Sequence, residues 1–242
     1  MALHFLVENS ADAAAGDLVS LTGAEAKHAA VVRRLRVGES VTVGDGAGVW
    51  LTGVAEEVSP SRVEVRVSSR SEEPAPNPRI VLVQALAKGD RDELAVQAAC
   101  ELGVDEIIPW QASRSVSRWE GPKAVKGRER WSTIVREAAK QAHRAWVPEV
   151  SPPATTADLA SRASSQRLLL LDPGASTRLS DLEPDGRDLV LVVGPEGGIS
   201  DDELGRLSDA GAERVLLGNT VLRTSTAGPA AIAVLSVALG RW

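Results

Sequence analysis

Residues 189–203 read LVLVVGPEGGISDDE, and the fold class follows from how this stretch is punctuated. An apolar run, Asp188–Val193, has the length and the β-branched content of a buried strand. It stops at Gly194-Pro195-Glu196-Gly197-Gly198. Ser200-Asp201-Asp202-Glu203 then has the Ser-x-x-Glu spacing of a capping box, which opens a helix over Ser200–Ala210. Strand, glycine loop and capped helix in that order belong to an open α/β sheet, where ligands bind beyond the carboxyl ends of strands. Glycines there let a ligand approach the backbone. The spacing is not GxGxxG, and no GK[ST] follows, so dinucleotide and triphosphate sites are disfavoured. Two readings stay open: backbone amides that hold a nucleoside-type ligand, or a tight turn with no ligand.

Downstream, the strand Arg214–Leu217 enters a second loop, Gly218-Asn219-Thr220-Val221-Leu222-Arg223. Pro229 is expected in the first turn of the helix Thr226–Leu239, where a missing N–H costs nothing. That helix is apolar on nearly every face, so it must be buried in the core or against another subunit. Arg223 sits at its mouth; an Arg in a cleft has an anionic or carbonyl partner, whereas one in a surface loop needs none.

Upstream, Ile80–Leu86, Asp105–Pro109 and Arg167–Leu171 are further β-type runs. Asp90 and Glu93 are spaced to cap a helix whose apolar face carries Leu94, Ala98 and Leu102, ending at Gly103. Another helix is expected over Gly127–Arg144. This alternation predicts a parallel sheet covered by helices on both faces. Glu72–Pro78, with three prolines in five residues, reads as an extended linker. Before it, Ser40–Gly44, Val49–Val54 and Arg62–Val67 read as strands. Thr22 and Glu25 suggest a capped helix with Ala26, Ala29, Ala30 and Val32 on one side. The expected domains are residues 1–72, β-rich, and 73–242, α/β.

With 242 residues, 43% of them hydrophobic, the chain can bury a sizeable core. Its glycines and prolines are not periodic, which excludes a collagen-like chain. Cys100 is the single cysteine, so no intrachain disulfide framework is available, and a reducing compartment fits. The histidines His4, His28 and His143 have no metal-like spacing, and no metal site is expected. The N-terminus lacks the pattern of a signal peptide, and no apolar run approaches the roughly 20 residues that span a bilayer. The net charge is −6, yet residues 113–146 carry nine basic and three acidic side chains, a local balance of +6. Arg114, Arg118, Arg130 and Arg144 belong to this segment, interleaved with Trp119, Trp131 and Trp146. Such a pattern fits RNA phosphates and stacked bases, or a solvated helix face with the tryptophans in the core. Lys27, Arg33, Arg34 and Arg36 form a second basic cluster.

The GPEGG loop with its acidic helix, and Leu216–Ala227 (LLGNTVLRTSTA) before the last helix, resemble the RsmE family of uridine-N3 ribosomal RNA methyltransferases, in the SPOUT superfamily. Gln84–Arg91, Glu101–Val104, Ser113–Val116, Arg130-Trp131, Glu137–Gln141, Arg144 with Pro148, and His28, Val32 and Arg34 match its other blocks in order, over nearly the whole chain. Ser225, where the family often has a carboxylate, and Thr220, near which it often has an Arg, depart from the pattern.

The resemblance implies a PUA-like RNA-binding β-barrel followed by a SPOUT α/β domain tied in a trefoil knot. It implies S-adenosylmethionine bound by Leu171, Gly194, Pro195, Glu196, Gly197, Gly198, Leu216, Leu217, Gly218, Asn219, Leu222 and Arg223. The substrate would be 16S ribosomal RNA, within the small ribosomal subunit, methylated at uridine N3 by a cytoplasmic homodimer without metal or membrane. RNA would meet His28, Arg33, Arg34, Arg114, Arg118, Arg130 and Arg144. For catalysis, Arg223 is expected to hold a uracil oxygen. Glu196 is the nearest group to accept the N3 proton, or it orders the loop through backbone N–H groups. Two rivals are a non-catalytic RNA-binding assembly factor, which needs no intact glycine loop, and a small-molecule α/β transferase, which needs no basic segment.

Overall fold

Two long strands whose inward residues alternate with exposed ones build the first unit, which runs to Ala75 and takes in Ala139–Val147. In this computed structural model, which describes residues 2–242, its elements are β1 (Leu3–Leu6), β2 (Leu18–Thr22), α1 (Gly23–Lys27), β3 (Ser40–Gly44), β4 (Val49–Val58) and β5 (Arg62–Glu72). The sheet order is β1-β3-β4-β5-β2, with register shifts in β4 after Thr52 and Ala55. Such irregularities bend a strand and increase its twist. β1 and β2 are not paired with each other among the described residues, so the expected barrel is a curled sheet without a closing ladder. Its core is Phe5, Leu21, Val41, Val43, Leu51, Val63 and Val65, with Ala26 and Ala29 of the α1 region beneath.

Two sequence expectations change in this unit. Thr22 stands at the N-cap of α1 without a side-chain bond, because Glu25 instead pairs with the buried Lys140 at 2.8 Å. Val32, expected on the apolar face, is exposed, since a π-helical turn over His28–Val32 rotates it outward. The short strands β1 and β2 were not read from the sequence.

The second unit, Pro76–Ala138 and Pro148–Trp242, holds a parallel sheet. Its elements follow as β6 (Ile80–Ala85), α2 (Arg91–Glu101), β7 (Glu106–Trp110), α3 (Pro122–Gln141, whose end belongs to the first unit), β8 (Glu149–Val150), α4 (Thr156–Arg162), β9 (Arg167–Leu171), β10 (Thr177–Arg178), β11 (Leu189–Val193), α5 (Asp201–Asp209), β12 (Glu213–Leu216) and α6 (Thr224–Ala238). The strand order is β10-β12-β9-β11-β6-β7-β8. β6 and β11 are buried along their whole length, as apolar runs covered on both faces must be. The chain steps from β6 outward to β8, then returns across β6 to β9 and inserts β11 between them. This reversal opens a crevice at the carboxyl ends.

The α2 cap differs from expectation. Asp90 makes no side-chain cap; Asp92 instead accepts the Ala87 N–H at 3.1 Å, and Glu93 pairs with Arg130. The buried face of α2 is Asp92, Ala95, Val96 and Ala99, while Leu94 is exposed and Ala98 and Leu102 are half-buried. Pro229 lies in the second turn of α6, since that helix begins at Thr224. Only one face of α6 is buried, chiefly through Gly228, Ala231, Ile232 and Leu235, and Val237 stays exposed. A side chain at Gly228 would meet Leu82 at 2.9 Å, so the helix lies directly on the sheet. Among the described residues, no helix is long and apolar enough to cross a membrane, and no cluster of His, Cys, Asp and Glu could hold a metal ion.

Candidate functional site

Both sequence-predicted loops leave the same edge of the parallel sheet, β11 into residues 194–200 and β12 into residues 217–223. With the end of β9 they enclose a pocket of about 490 Å³. Leu171, Gly194, Pro195, Glu196, Gly198, Leu216, Leu217, Gly218, Leu222 and Arg223 line it; Gly197 and Asn219 do not. Sequence reasoning did not select Arg91, Val193, Ile199, Leu204, Thr220, Thr224 and Ala227, which also line it. Most of these are ordinary apolar or hydroxyl side chains; Leu204 comes from α5, Thr224 and Ala227 from α6, and Arg91 from α2, all brought there by packing.

The glycine loop is held tightly. Gly194 has no room for a side chain, because a Cβ there would lie 2.8 Å from Ile199 Cγ1 and 2.9 Å from the Ile199 nitrogen. Its carbonyl accepts the Thr224 hydroxyl at 2.8 Å, and Thr224 in turn accepts Gln84 Nε2 at 2.9 Å. Gln84 is fully buried at the end of β6. This chain of hydrogen bonds ties β6, the glycine loop and the first residue of α6 together.

Glu196 accepts the Lys88 N–H at 3.1 Å and Arg91 Nη1 at 2.8 Å. Burial alone would raise its pKa, but hydrogen bonds from its own and the Lys88 N–H, together with the Arg91 guanidinium, hold it below the usual carboxylate range. A carboxylate so held is a weak proton acceptor and a good anchor for the loop.

At the far end of the loop, the capping box of α5 forms as read from the sequence: Ser200 Oγ donates to Glu203 at 2.7 Å, and the Glu203 N–H returns to Ser200 Oγ. The Glu203 carboxylate, buried to 4% exposure, also accepts the N–H and the hydroxyl of Ser113, each at 2.8 Å, and Thr156 Oγ1 at 3.2 Å. Although burial opposes it, these donors keep its pKa below the ordinary value.

Arg223 stands apart from this network. It lines the pocket as the N-cap residue of α6, it is exposed, and its guanidinium has no hydrogen bond or ion pair among the described residues.

The residues expected to meet RNA divide by environment. In the first unit Arg33 and Arg34 are exposed, the latter with φ of 56°. His28 is half-buried, edge-on to Phe5 at 6.5 Å, and Arg144 is half-buried. In the second unit Arg118 is exposed and donates to the Ser113 carbonyl at 3.3 Å, while Arg130 pairs with Glu93 at 2.9 Å. Arg114 donates through Nη1 to the carbonyls of Gly197 and Ile199, at 3.1 and 3.2 Å.

Two features read from charge and aromatic spacing do not serve RNA. Lys140 is buried against Glu25. Trp131 is 1% exposed and packs edge-on with Trp119 at 5.1 Å, and Trp146 donates to the Glu73 carbonyl at 2.9 Å. Trp131 is therefore a core residue, and no face of it is free for a base.

Comparison with known proteins agrees with this architecture. Residues 73–236 match the model of an RNA methyltransferase domain, and residues 21–68 match that of an RNA methyltransferase PUA domain. The chain is 42% identical over its full length to the ribosomal RNA small subunit methyltransferase E of Mycobacterium bovis, covering 94% of that protein. It is 31% identical to the Bacillus subtilis protein of the same name, over 90% of this chain and 89% of that one. The crystal structure of the Neisseria gonorrhoeae ribosomal RNA small subunit methyltransferase E bound to S-adenosylmethionine superposes with a TM-score of 0.88, at 30% identity and 98% coverage of both chains. A Legionella pneumophila structure in complex with the same cofactor also scores 0.88, at 32% identity and the same coverage. With one family model spanning most of the sequence, and relatives that match it from end to end, the chain belongs to the ribosomal RNA small subunit methyltransferase E family.

Proposed function

We propose that the chain transfers a methyl group from S-adenosylmethionine to N3 of one uridine in 16S ribosomal RNA. The observation that carries this is the pocket where two loops meet, with Arg223, unpaired among the described residues, at its lip. Its volume, about 490 Å³, lies within the range of small-ligand sites. Leu171, Leu216, Leu217 and Leu222 offer apolar surface for a purine, and the side-chain-free Gly194, Gly198 and Gly218 bring backbone polar groups to its edge. The residues therefore fit the group. S-adenosylmethionine supplies a methyl already activated by its sulfonium.

The chain's own part is to hold the base and favour its N3 anion. Arg223 presents its fork to a uracil oxygen and stabilises the charge that develops as the N3 proton passes to solvent water. Glu196, engaged with Lys88 and Arg91, orders the loop, a role its lowered pKa favours over proton acceptance. The uridine has to be unpaired or flipped out to reach the pocket.

Residues 1–72 serve as the RNA-binding domain and 73–242 as the transferase. Arg33, Arg34, Arg118, Arg130 and Arg144, with His28, supply the RNA contacts, within the small ribosomal subunit and in the cytoplasm. The chain works as a homodimer, which covers exposed apolar residues such as Val237 and Trp242. Its methyltransferase domain is tied in a trefoil knot. After β12 the chain returns to the middle of the sheet, where the Thr224 hydroxyl donates to the Gly194 carbonyl and accepts from Gln84.

Mapping of N3-methyluridine in 16S RNA tests the reaction. A strain lacking the gene should lose one such site, and the wild-type gene should restore it while Arg223→Ala should not. Retention of every site in the deletion strain would refute the proposal.

A further inference from the structure

Residues 112–118 follow β7 and precede α3, and nothing in their sequence links them to the glycine loop 83 to 90 residues later. In the fold they grip it from outside the pocket. Arg114 Nη1 donates to the carbonyls of Gly197 and Ile199, which bracket the turn of the loop. Gly197 does not line the pocket; a Cβ there would make ordinary contact with the Arg114 stem, which lies across the turn, at 3.4 Å from Arg114 Cβ. Ser113, one residue earlier, is anchored by both its N–H and its hydroxyl to the buried carboxylate of Glu203. Glu203 also caps α5, into which the loop runs. One strap thus clamps the loop at its turn and at its exit.

We propose that Arg114, seated by the Ser113–Glu203 contact, is a positioning residue for the cofactor loop. It is exposed and cationic, which read from the sequence as an RNA contact, but its Nη1 donates to two loop carbonyls. Gly198, between those two carbonyls, lies on the pocket wall, as does Ile199. Hydrogen bonds from a charged donor are the stronger kind, and losing two of them releases the turn. This inference rests on the cofactor reading of the pocket.

The test is titration of S-adenosylhomocysteine into full-length wild type, Arg114→Ala, Arg114→Lys and Ser113→Ala, without RNA, alongside amide hydrogen exchange of residues 194–199. Arg114→Ala should weaken binding about tenfold, the equivalent of one charge-assisted hydrogen bond. Arg114→Lys should recover part of that, because a point charge reaches one carbonyl. Ser113→Ala should weaken binding several-fold, and loop amides should exchange faster in both alanine variants. In steady state the loss should fall on KM for S-adenosylmethionine, with kcat nearly kept. An Arg114→Ala protein that binds S-adenosylhomocysteine like wild type, while RNA affinity falls, would overturn the proposal and leave Arg114 an RNA contact. A lowered melting temperature with unchanged cofactor affinity would overturn it too. If wild type itself fails to bind, the cofactor reading falls, and hydrogen exchange alone then decides: unchanged loop exchange in Arg114→Ala refutes the clamp.

Discussion

Two loops line one pocket and are built on opposite plans. Residues 194–200 are held at nearly every position: Gly194 by Thr224, Glu196 by Lys88 and Arg91, Gly197 and Ile199 by Arg114, Ser200 by Glu203. Residues 218–222 make no hydrogen bond to the rest of the chain among the described residues, and Val221 is 78% exposed. A Cβ on Gly194 collides with its surroundings, whereas one on Gly218 meets nothing within 4 Å. The first loop is a wall formed before any ligand arrives, which cuts the ordering cost of binding. The second keeps its polar groups, and the Arg223 beyond it, free for whatever enters.

That contrast can be broken by mutation. The largest effect is expected at the free side: Arg223→Ala should lower the single-turnover rate about 10²-fold with cofactor and RNA saturating, while the fold survives. Arg223→Lys should rescue only in part, since a fork becomes a point charge. A near-normal rate for the alanine variant would move the charge stabilisation to another residue.

Next comes a paired comparison. Gly194→Ala should weaken S-adenosylhomocysteine binding by the equivalent of about 1–3 kcal/mol of overpacking. Gly218→Ala should change it less than about twofold, there being open space around it. Equal losses in calorimetry would mean that the two loops are not held differently.

Thr224→Val keeps the shape of the side chain but takes the Thr224 donor from the Gly194 carbonyl and leaves Gln84 Nε2 only its bond to the Ala85 carbonyl. An unmet buried group costs about 1–3 kcal/mol, some of which should appear as weaker cofactor binding. Thr224→Ser, which retains the hydroxyl, should bind like wild type. Valine matching serine would show that the hydroxyl does not tie the loop.

The smallest effect concerns pH. Glu196 and Glu203 both have lowered pKa values in the folded chain. Carboxylates of this kind contribute fully above their unfolded pKa, near 4.3, and lose that contribution only as pH falls through the depressed folded value. Hydrogen exchange of the first loop, corrected for the intrinsic rate, should therefore be the same at pH 7 and pH 5. Loosening within that window would place the anchoring elsewhere.

Much of this was legible in order along the chain. The strand Arg167–Leu171, the GPEGG turn and the Ser200–Glu203 cap stand where local pattern puts them, because period, turn chemistry and capping are short-range effects. The cap expected at Asp90 failed for a long-range reason: Glu93 is drawn to Arg130, 37 residues on. Trp131 could be read as a stacking platform or as a core residue, because aromatic and basic residues alternate there and spacing cannot say which face of α3 turns inward; the fold makes it core. Glu203 was legible as a helix cap and illegible as the anchor of Ser113, which lies 90 residues earlier.

By itself, then, the sequence determined a parallel α/β sheet behind a β-rich unit, and two loops at strand ends as the place to look. Tertiary structure decided which charges are spent and which are free. Arg114 and Arg223 are both exposed arginines in loops, yet one grips two carbonyls and the other has no partner among the described residues. The physical reason is that a guanidinium's availability depends on acceptors brought near it by chain segments far apart in sequence. No local propensity encodes those meetings; only the packing of strands and helices sets them.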